Sequence, residues 1–319
     1  MLNNTNLSAQ IHDAALQFGY ESCGIIKLSD INGYKKYLDE RIAKIPESKK
    51  IYGFYDAFDK LEANYPWAKA IVVCALWLGK YKFPASLEGK WGKYFILAPV
   101  TEPKSDAYKN MKLFEAWLSE NNIKAESSPM LPLRHAAVYA GLGIFRKNNF
   151  FYGKNGSYYD LKAYLIDKDC EYKNICDIKP CAENCNLCVT ACRTKALYAP
   201  YTMNPMLCIS YLTTFGGGTV PDGLGLTEAD LGTWICGCDD CQDACIYNKG
   251  HDWSNGEDFY GVSELEALLQ PENILAADSE ILLIDKVIPK TAQHIKPDSQ
   301  GCNILRVNAA RALRVSKSN

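Results

Sequence analysis

The sequence predicts a mixed α/β (α+β) domain into which a small cysteine-rich domain is set, with helices closing the chain. Three observations predict it. Ala68 to Leu78, AKAIVVCALWL, is apolar and β-branched in the manner of a strand covered on both faces. Strand-like runs alternate with helical periods through the first half, which argues for an α/β layer. Between Cys170 and Tyr247 long apolar runs give way to cysteine, aspartate and asparagine, as expected where metal bonds stand in for a hydrophobic core. Residues 1–168 are therefore read as the α/β domain, 169–250 as the cysteine-rich domain, and 251–319 as a helical segment packing back on the core.

Taken in order, Ser8 is a suitable helix N-cap, and Ile11, Ala14, Ala15 and Phe18 recur at helical spacing before Gly19 ends the run. Ser22 to Ile26 reads as a short buried strand, with Cys23 a small core residue, as Cys74 is in the strand that follows. Ile31 to Tyr65 mixes charge and aromatics without one period, so short helices and loops are expected. From Asp106 to Glu120, Met111, Phe114, Trp117 and Leu118 share a helical face, closed by Asn121 and Asn122. A short segment from Ala125 to Pro129 and a run from Tyr158 to Ile166 flank an AGLG motif at Ala140–Gly143. A dinucleotide cradle is disfavoured there: Arg146 replaces the third glycine of that fingerprint and no clear strand enters Gly141, so packing or a turn is the favoured role. Gly216, Gly217 and Gly218 read as a mobile connection. VSELEALL after Gly261 and ILRVNAARAL near the end read as helices, the latter placing Leu305, Ala309 and Leu313 on one face.

At 319 residues the chain can bury a large core. Its hydrophobic content of 48% and charged content of 23% are those of an ordinary globular protein. A net charge of −2 provides no global basic field for a polyanion or an anionic membrane. The first residues lack a basic segment followed by an apolar one, and no stretch approaches membrane-spanning length, so the expected location is cytoplasmic. In a reducing compartment, 14 cysteines point to metal or redox chemistry rather than disulfides.

The chemistry lies in two cysteine runs. Cys181, Cys185, Cys188 and Cys192 form the first, Cys238, Cys241 and Cys245 the second, and both end in C-x2-C-x3-C, a spacing that wraps thiolates around an iron–sulfur cluster. Two runs imply two [4Fe–4S] clusters in a ferredoxin-like domain. The last cysteine of each run crosses to the other cluster in such domains, which groups Cys181, Cys185 and Cys188 with Cys245, and Cys192 with Cys238 and Cys241. Two four-thiolate clusters need eight cysteines and the runs supply seven, so either Cys208 or Cys236 completes the second; spacing does not choose. A zinc ribbon would leave the third cysteine of each run unused. Cys170, Cys176 and Cys302 fall outside the pattern. Two clusters are a short electron wire, and the remaining chain must hold what the electrons reach: a flavin, a corrinoid or a directly reduced substrate.

C-I-S-Y-L-T from Cys208 to Thr213, followed by G-C-D-D-C from Gly237 to Cys241, resembles the signature of epoxyqueuosine reductases, cobalamin-dependent double-cluster enzymes that reduce an epoxide in a modified tRNA nucleoside. The similarity takes in Ala15 to Ile25, Pro66 to Leu78, the start of the helix at Asp106, AGLG with Lys147 and Asn148, Gly156-Ser157, and Asn308 to Leu313. Respiratory reductive dehalogenases are a more distant match. The resemblance implies Cys208 as the eighth ligand, beside Cys192, Cys238 and Cys241. It also implies cobalamin in the N-terminal domain, with Asp106, Ser127, Ser128, Ala140, Gly141, Leu142, Gly143, Lys147, Asn148, Ser157 and Tyr211 as cofactor contacts. Glu126, just before Ser127-Ser128-Pro129, is the implied proton donor, with Tyr108 and Arg134 as further catalytic candidates. The implied partners are an external ferredoxin- or flavodoxin-type electron donor and a tRNA or small-molecule substrate.

The chain departs from that family's pattern in several places. The first spacing is C-x3-C, Arg193 and Ile246 replace prolines after the runs, and Ala107, Tyr108, Arg146 and Ala163 differ from the family's residues. Arg134 and His135 lie in the segment expected to line the pocket. These changes and the acidic balance leave two other enzyme-level and binding-level alternatives: a corrinoid reductase of a small molecule such as an organohalide, and a non-catalytic electron-transfer protein.

Overall fold

The computed structural model describes residues 4–220, 222–259, 262–277, 280–291 and 294–318. The chain divides into two units, neither contiguous in sequence. Met1–Trp77, Asp106–Arg146 and Phe150–Cys181 form the first, and Leu78–Ser105, Lys147–Asn149 and Ala182–Asn319 the second. Boundaries expected near 168 and 250 are therefore not where the chain divides. Residues 78–105 and 251–319 fold with the cysteine runs, whereas 169–181 stay with the sheet because Tyr172 pairs with Ile25.

The first unit contains strands β1 (Ser22–Lys27), β2 (Ala70–Trp77), β3 (Ala125–Ser127), β4 (Ile144–Phe145), β5 (Phe151–Tyr152) and β6 (Tyr159–Ile166). Four of them form a sheet in the order β1-β2-β6-β3, and every neighbouring pair is antiparallel. The alternation of strands and helices thus resolves as α+β. Strand β2 is buried along nearly its whole length because it lies between two others, with Cys74 opposite Cys23 and Val73 opposite Ala163. Its alternate side chains serve opposite faces. Ile71, Val73 and Ala75 join Ala163 and Leu165 against Ala136, Ala137 and Ala140. On the other face Tyr164 meets the edge of Phe114 at 5.3 Å, and its hydroxyl bonds that of Tyr20 at 2.8 Å.

The flanking helices follow from local sequence. Residues Asn4–Gln17 are helical, so Ser8 lies a turn inside and is buried rather than capping; Gly19, at φ +88°, ends the run as expected. The Asp106–Glu120 helix buries Phe114 and Leu118 and is closed by Asn122 in the left-handed region, φ 57°. Leu133–Tyr139 is a helix that periodicity did not signal: it is short and interrupted by Arg134 and His135. AGLG follows this helix, so no strand enters Gly141.

In the second unit, strands β7 (Leu197–Ala199) and β8 (Thr202–Met203) make a hairpin. Trp91 is fully buried, pairs through its backbone with Cys236, and donates its indole N–H to the Leu269 carbonyl at 2.9 Å. The Ser299–Ser318 helix buries Leu305 and Ala309 as expected, and also Arg311. That guanidinium donates to the Gly218 carbonyl at 3.1 Å, to Asn308 at 2.7 Å and to the Trp234 carbonyl. Asn308 in turn donates to the Thr213 carbonyl at 2.8 Å. The three glycines expected to be mobile are consequently held: Gly216 and Gly218 donate back to Tyr211 and Leu212. No helix among the described residues is long and apolar enough to cross a membrane.

Candidate iron–sulfur site

Cys188 and Cys192 ride on the Leu187–Ala191 helix, Cys188 buried within it and Cys192 at its C-terminal end, where the backbone turns extended. Cys241 lies in the Asp240–Asp243 turn of helix packed against it. Burial pushes the Cys241 thiol well up, and the charges of Cys208, Cys192 and Cys188 add to that push. Burial raises Cys238 likewise, with Asp240 and Cys208 contributing. Burial of this kind resists thiolates at Cys238 and Cys241 until a metal compensates them. With Cys192 and Cys208 they would make a soft four-thiolate donor set. Cys236, the other candidate eighth ligand, is fully buried and pairs through its backbone with Trp91, and burial alone raises its thiol. The Leu197 amide donates to Cys192 Sγ at 3.3 Å, the kind of bond that holds a cluster sulfur and tunes it. Among the described residues no three metal-binding side chains converge on one point as for a single ion.

Lys147 and Asn148 fasten these loops. The Lys147 ammonium is buried and donates to the carbonyls of Ala182 at 2.9 Å, Glu183 at 2.6 Å and Cys185 at 2.8 Å. An ammonium has three donors, so none remains for the cofactor contact expected of Lys147. Asn148 Nδ2 donates to the Cys241 carbonyl at 3.0 Å, again a loop tie where a cofactor contact was expected. Asp239 and Lys93, both buried, brace the second run from below: the Lys93 amide donates to Asp239 at 2.8 Å, and its ammonium reaches Asp239 at 3.4 Å and Asp243 at 3.1 Å. Burial lifts the Asp239 carboxyl to about 6 against the pull of Lys93. Composition alone gave no signal for Lys93, which lies far from the cysteines in sequence.

The remaining expected residues are distributed as follows. Glu126 and Ser127 are exposed on β3, a sheet-edge strand, and Ser128 follows at φ 55°. Asp106 is exposed at a helix start beside Lys109, and Tyr108 has the Lys112 ammonium 5.7 Å from its ring centre. Arg134 is exposed over the Phe150 ring at 5.0 Å. His135 lies 5.1 Å from the Tyr34 ring, and burial lowers its pKa. Ala140 and Leu142 belong to the apolar core, and Ser157 is buried. A Cβ on Gly141 would stand 2.0 Å from the Asn174 carbonyl oxygen, and one on Gly143 2.2 Å from that of Tyr152. These glycines admit the chain's own backbone, the packing role favoured over a dinucleotide cradle. Tyr211, half-buried, accepts from Thr214 and Gly216 in the second unit.

Residues 181–248 match the 4Fe-4S double cluster binding domain. An epoxyqueuosine reductase of Cyclobacterium marinum is 34% identical over 44% of this chain and 44% of its own length. That of Cellulophaga algicola is 27% identical over 74% of this chain and 77% of its own. In fold, a crystal structure of epoxyqueuosine reductase with a tRNA-Tyr epoxyqueuosine-modified stem loop superposes with a TM-score of 0.74 at 22% identity, covering 98% of this chain and 82% of that one.

The chain is similar to epoxyqueuosine reductases in sequence and fold. It is aligned over less than half the length of several of these relatives, that of Cyclobacterium marinum among them.

Two departures from the epoxyqueuosine reductase pattern acquire structural roles. Arg193, in place of a proline, forms a two-pronged pair with Asp240, at 2.9 Å and 3.2 Å, joining the end of the first cysteine run to the start of the second. Arg146 likewise differs from the family's residue. It is buried, and its guanidinium lies against Cys181.

Proposed function

We propose that the protein is an oxidoreductase that passes electrons through two [4Fe–4S] clusters, Cys181, Cys185, Cys188 and Cys245 holding one and Cys192, Cys208, Cys238 and Cys241 the other. The observation that supports this reading is the match of residues 181–248, which contain both cysteine runs and Cys208, to the 4Fe-4S double cluster binding domain. The protein's own contribution is to fix the loops: Lys147, Asn148 and Arg193 hold them, and the Leu197 amide bonds a ligand sulfur. Electrons would enter from a ferredoxin- or flavodoxin-type donor.

The acceptor that the resemblance implies is cobalamin, and the substrate an epoxide in a tRNA nucleoside, as the stem loop bound by the structural relative suggests. Since AGLG and Lys147 are engaged within the fold, a corrinoid would have to rely on Asp106, Ser127, Ser128 and other exposed groups of the first unit. Glu126, exposed at the end of its strand, would be the proton donor to the reduced substrate, with Tyr108 and Arg134 as orienting groups. A second reading, reduction of a smaller molecule, is supported by the net charge of −2, which gives little to hold a polyanion.

Anaerobic purification tests the first layer: about eight irons and as many sulfides per chain, with a [4Fe–4S] spectrum on reduction, are expected. Zinc without iron would overturn it. A corrinoid absorption band retained through gel filtration tests the acceptor, and loss of epoxyqueuosine from substrate tRNA by mass spectrometry separates the two substrates.

A further inference from the structure

The buried guanidinium of Arg146 has no part in the chemistry outlined above. It is 1% exposed, and three contacts fix it. Nη1 lies 3.6 Å from Cys181 Sγ, Nη2 donates to the Lys179 carbonyl at 2.8 Å, and the Tyr152 ring lies 5.1 Å beneath the guanidinium carbon. Tyr152 is itself fully buried, and Gly143 lets its backbone approach. The arginine is thus held from three sides with one edge turned to a sulfur.

We infer that Arg146 is a positioning residue that raises the reduction potential of the cluster bound by Cys181, so that this cluster is the easier of the two to reduce. The inference rests on the reading of Cys181 as a cluster ligand. A thiolate-ligated cluster is anionic and gains one further negative charge on reduction, with no bond made or broken. A fixed cation and an N–H bond to a ligand sulfur both favour the more negative state, and charge and sulfur hydrogen bonding are among the factors that set cluster potentials. Burial strengthens the effect, because little water screens the pair. A guanidinium is a permanent charge, so the bias does not switch off with pH. At the other cluster the Cys192 sulfur accepts from a neutral amide, and the charge of the nearby Arg193 is offset by its pairing with Asp240.

The test is an anaerobic redox titration of the full chain with dithionite, followed by electron paramagnetic resonance, on wild type, Arg146→Gln and Arg146→Lys. Arg146→Gln removes the charge and keeps a donor; one of the two clusters is expected to become about tenfold harder to reduce, about 59 mV for a one-electron couple, while the other is unmoved. Arg146→Lys retains charge without the fork and should shift the same cluster less. A merely structural role would change iron content or folding but leave the potential of the retained cluster in place. Both variants loaded with iron at unchanged potentials would overturn the inference. If Arg146→Gln loses its iron, the lysine variant decides: an iron-replete Arg146→Lys protein at the wild-type potential is then the overturning result. Wild type without any cluster would instead remove the reading beneath it.

Discussion

The two units are held by different forces. In the first, a four-stranded sheet buries apolar side chains on both faces, and polar groups enter as matched pairs such as Tyr20 with Tyr164. In the second, cations less than a tenth exposed bind fixed oxygens, Lys147 and Arg311 those of backbone carbonyls and Lys93 the carboxylates of Asp239 and Asp243. Burying a cation is costly unless every donor finds a partner, so these residues specify loop geometry more than they add stability. A unit whose loops must present thiolates at fixed positions cannot rely on non-directional apolar packing. It uses directional bonds to main-chain oxygens.

Four perturbations would break or sharpen this contrast. Phe114→Ala empties the centre of the apolar face and should cost about 3–5 kcal/mol in denaturant unfolding of the first unit, with iron content unchanged. Lys147→Met leaves three carbonyls without their donor; a loss of about 1–3 kcal/mol is expected, seen as faster iron release to a chelator. An equal loss of iron in Phe114→Ala would show that the contrast is not real. Acidification separates the units more gently. His135 has its pKa lowered by burial, so the unfolded chain takes up its proton first, and stability of the first unit should fall as pH drops below about 6.5 and level off beneath the folded value. His135→Phe should remove that slope. In the second unit, burial alone would raise the Glu102 carboxyl, but the bond from Lys290, the Lys104 amide and the charges of both lysines outweigh it and lower it. Its contribution is present above about pH 4.3, is lost as pH falls through the lower folded value, and is worth under about 1 kcal/mol. Glu102→Gln should flatten the acid limb of the unfolding curve there and nowhere else.

Legibility followed the same division. The β2 run and the Asp106–Glu120 helix were readable because apolar period alone determines them, and the cysteine runs because cluster chemistry requires their spacing. Spacing left Cys208 and Cys236 both open as the eighth ligand, because the full burial of Cys236 is a product of folding that spacing does not carry. Equally hidden were the buried cations. Lys147 reads as a cofactor contact until its three carbonyl partners are seen, and Arg146 reads only as the replacement of a glycine until its depth is known. Residue type in these cases fixes the chemistry a group can do, whereas the partner comes from folding. The glycines illustrate the converse: Gly141 and Gly143 were correctly expected to serve packing, although the backbone they admit could not be named.

The Arg311 clamp also has a consequence for biosynthesis. It closes on Gly218 and Trp234 across 93 and 77 residues, whereas Lys147 reaches its carbonyls across only 35 to 38. On the ribosome the lysine cap can therefore form while the second cysteine run is still being made, and the clamp must wait for almost all of the remaining chain. Between those two events the thiols of both cysteine runs are made and the loops around them are still open. That interval is when an iron–sulfur carrier would have its easiest access, and translation speed between the second run and Arg311 sets how long it lasts.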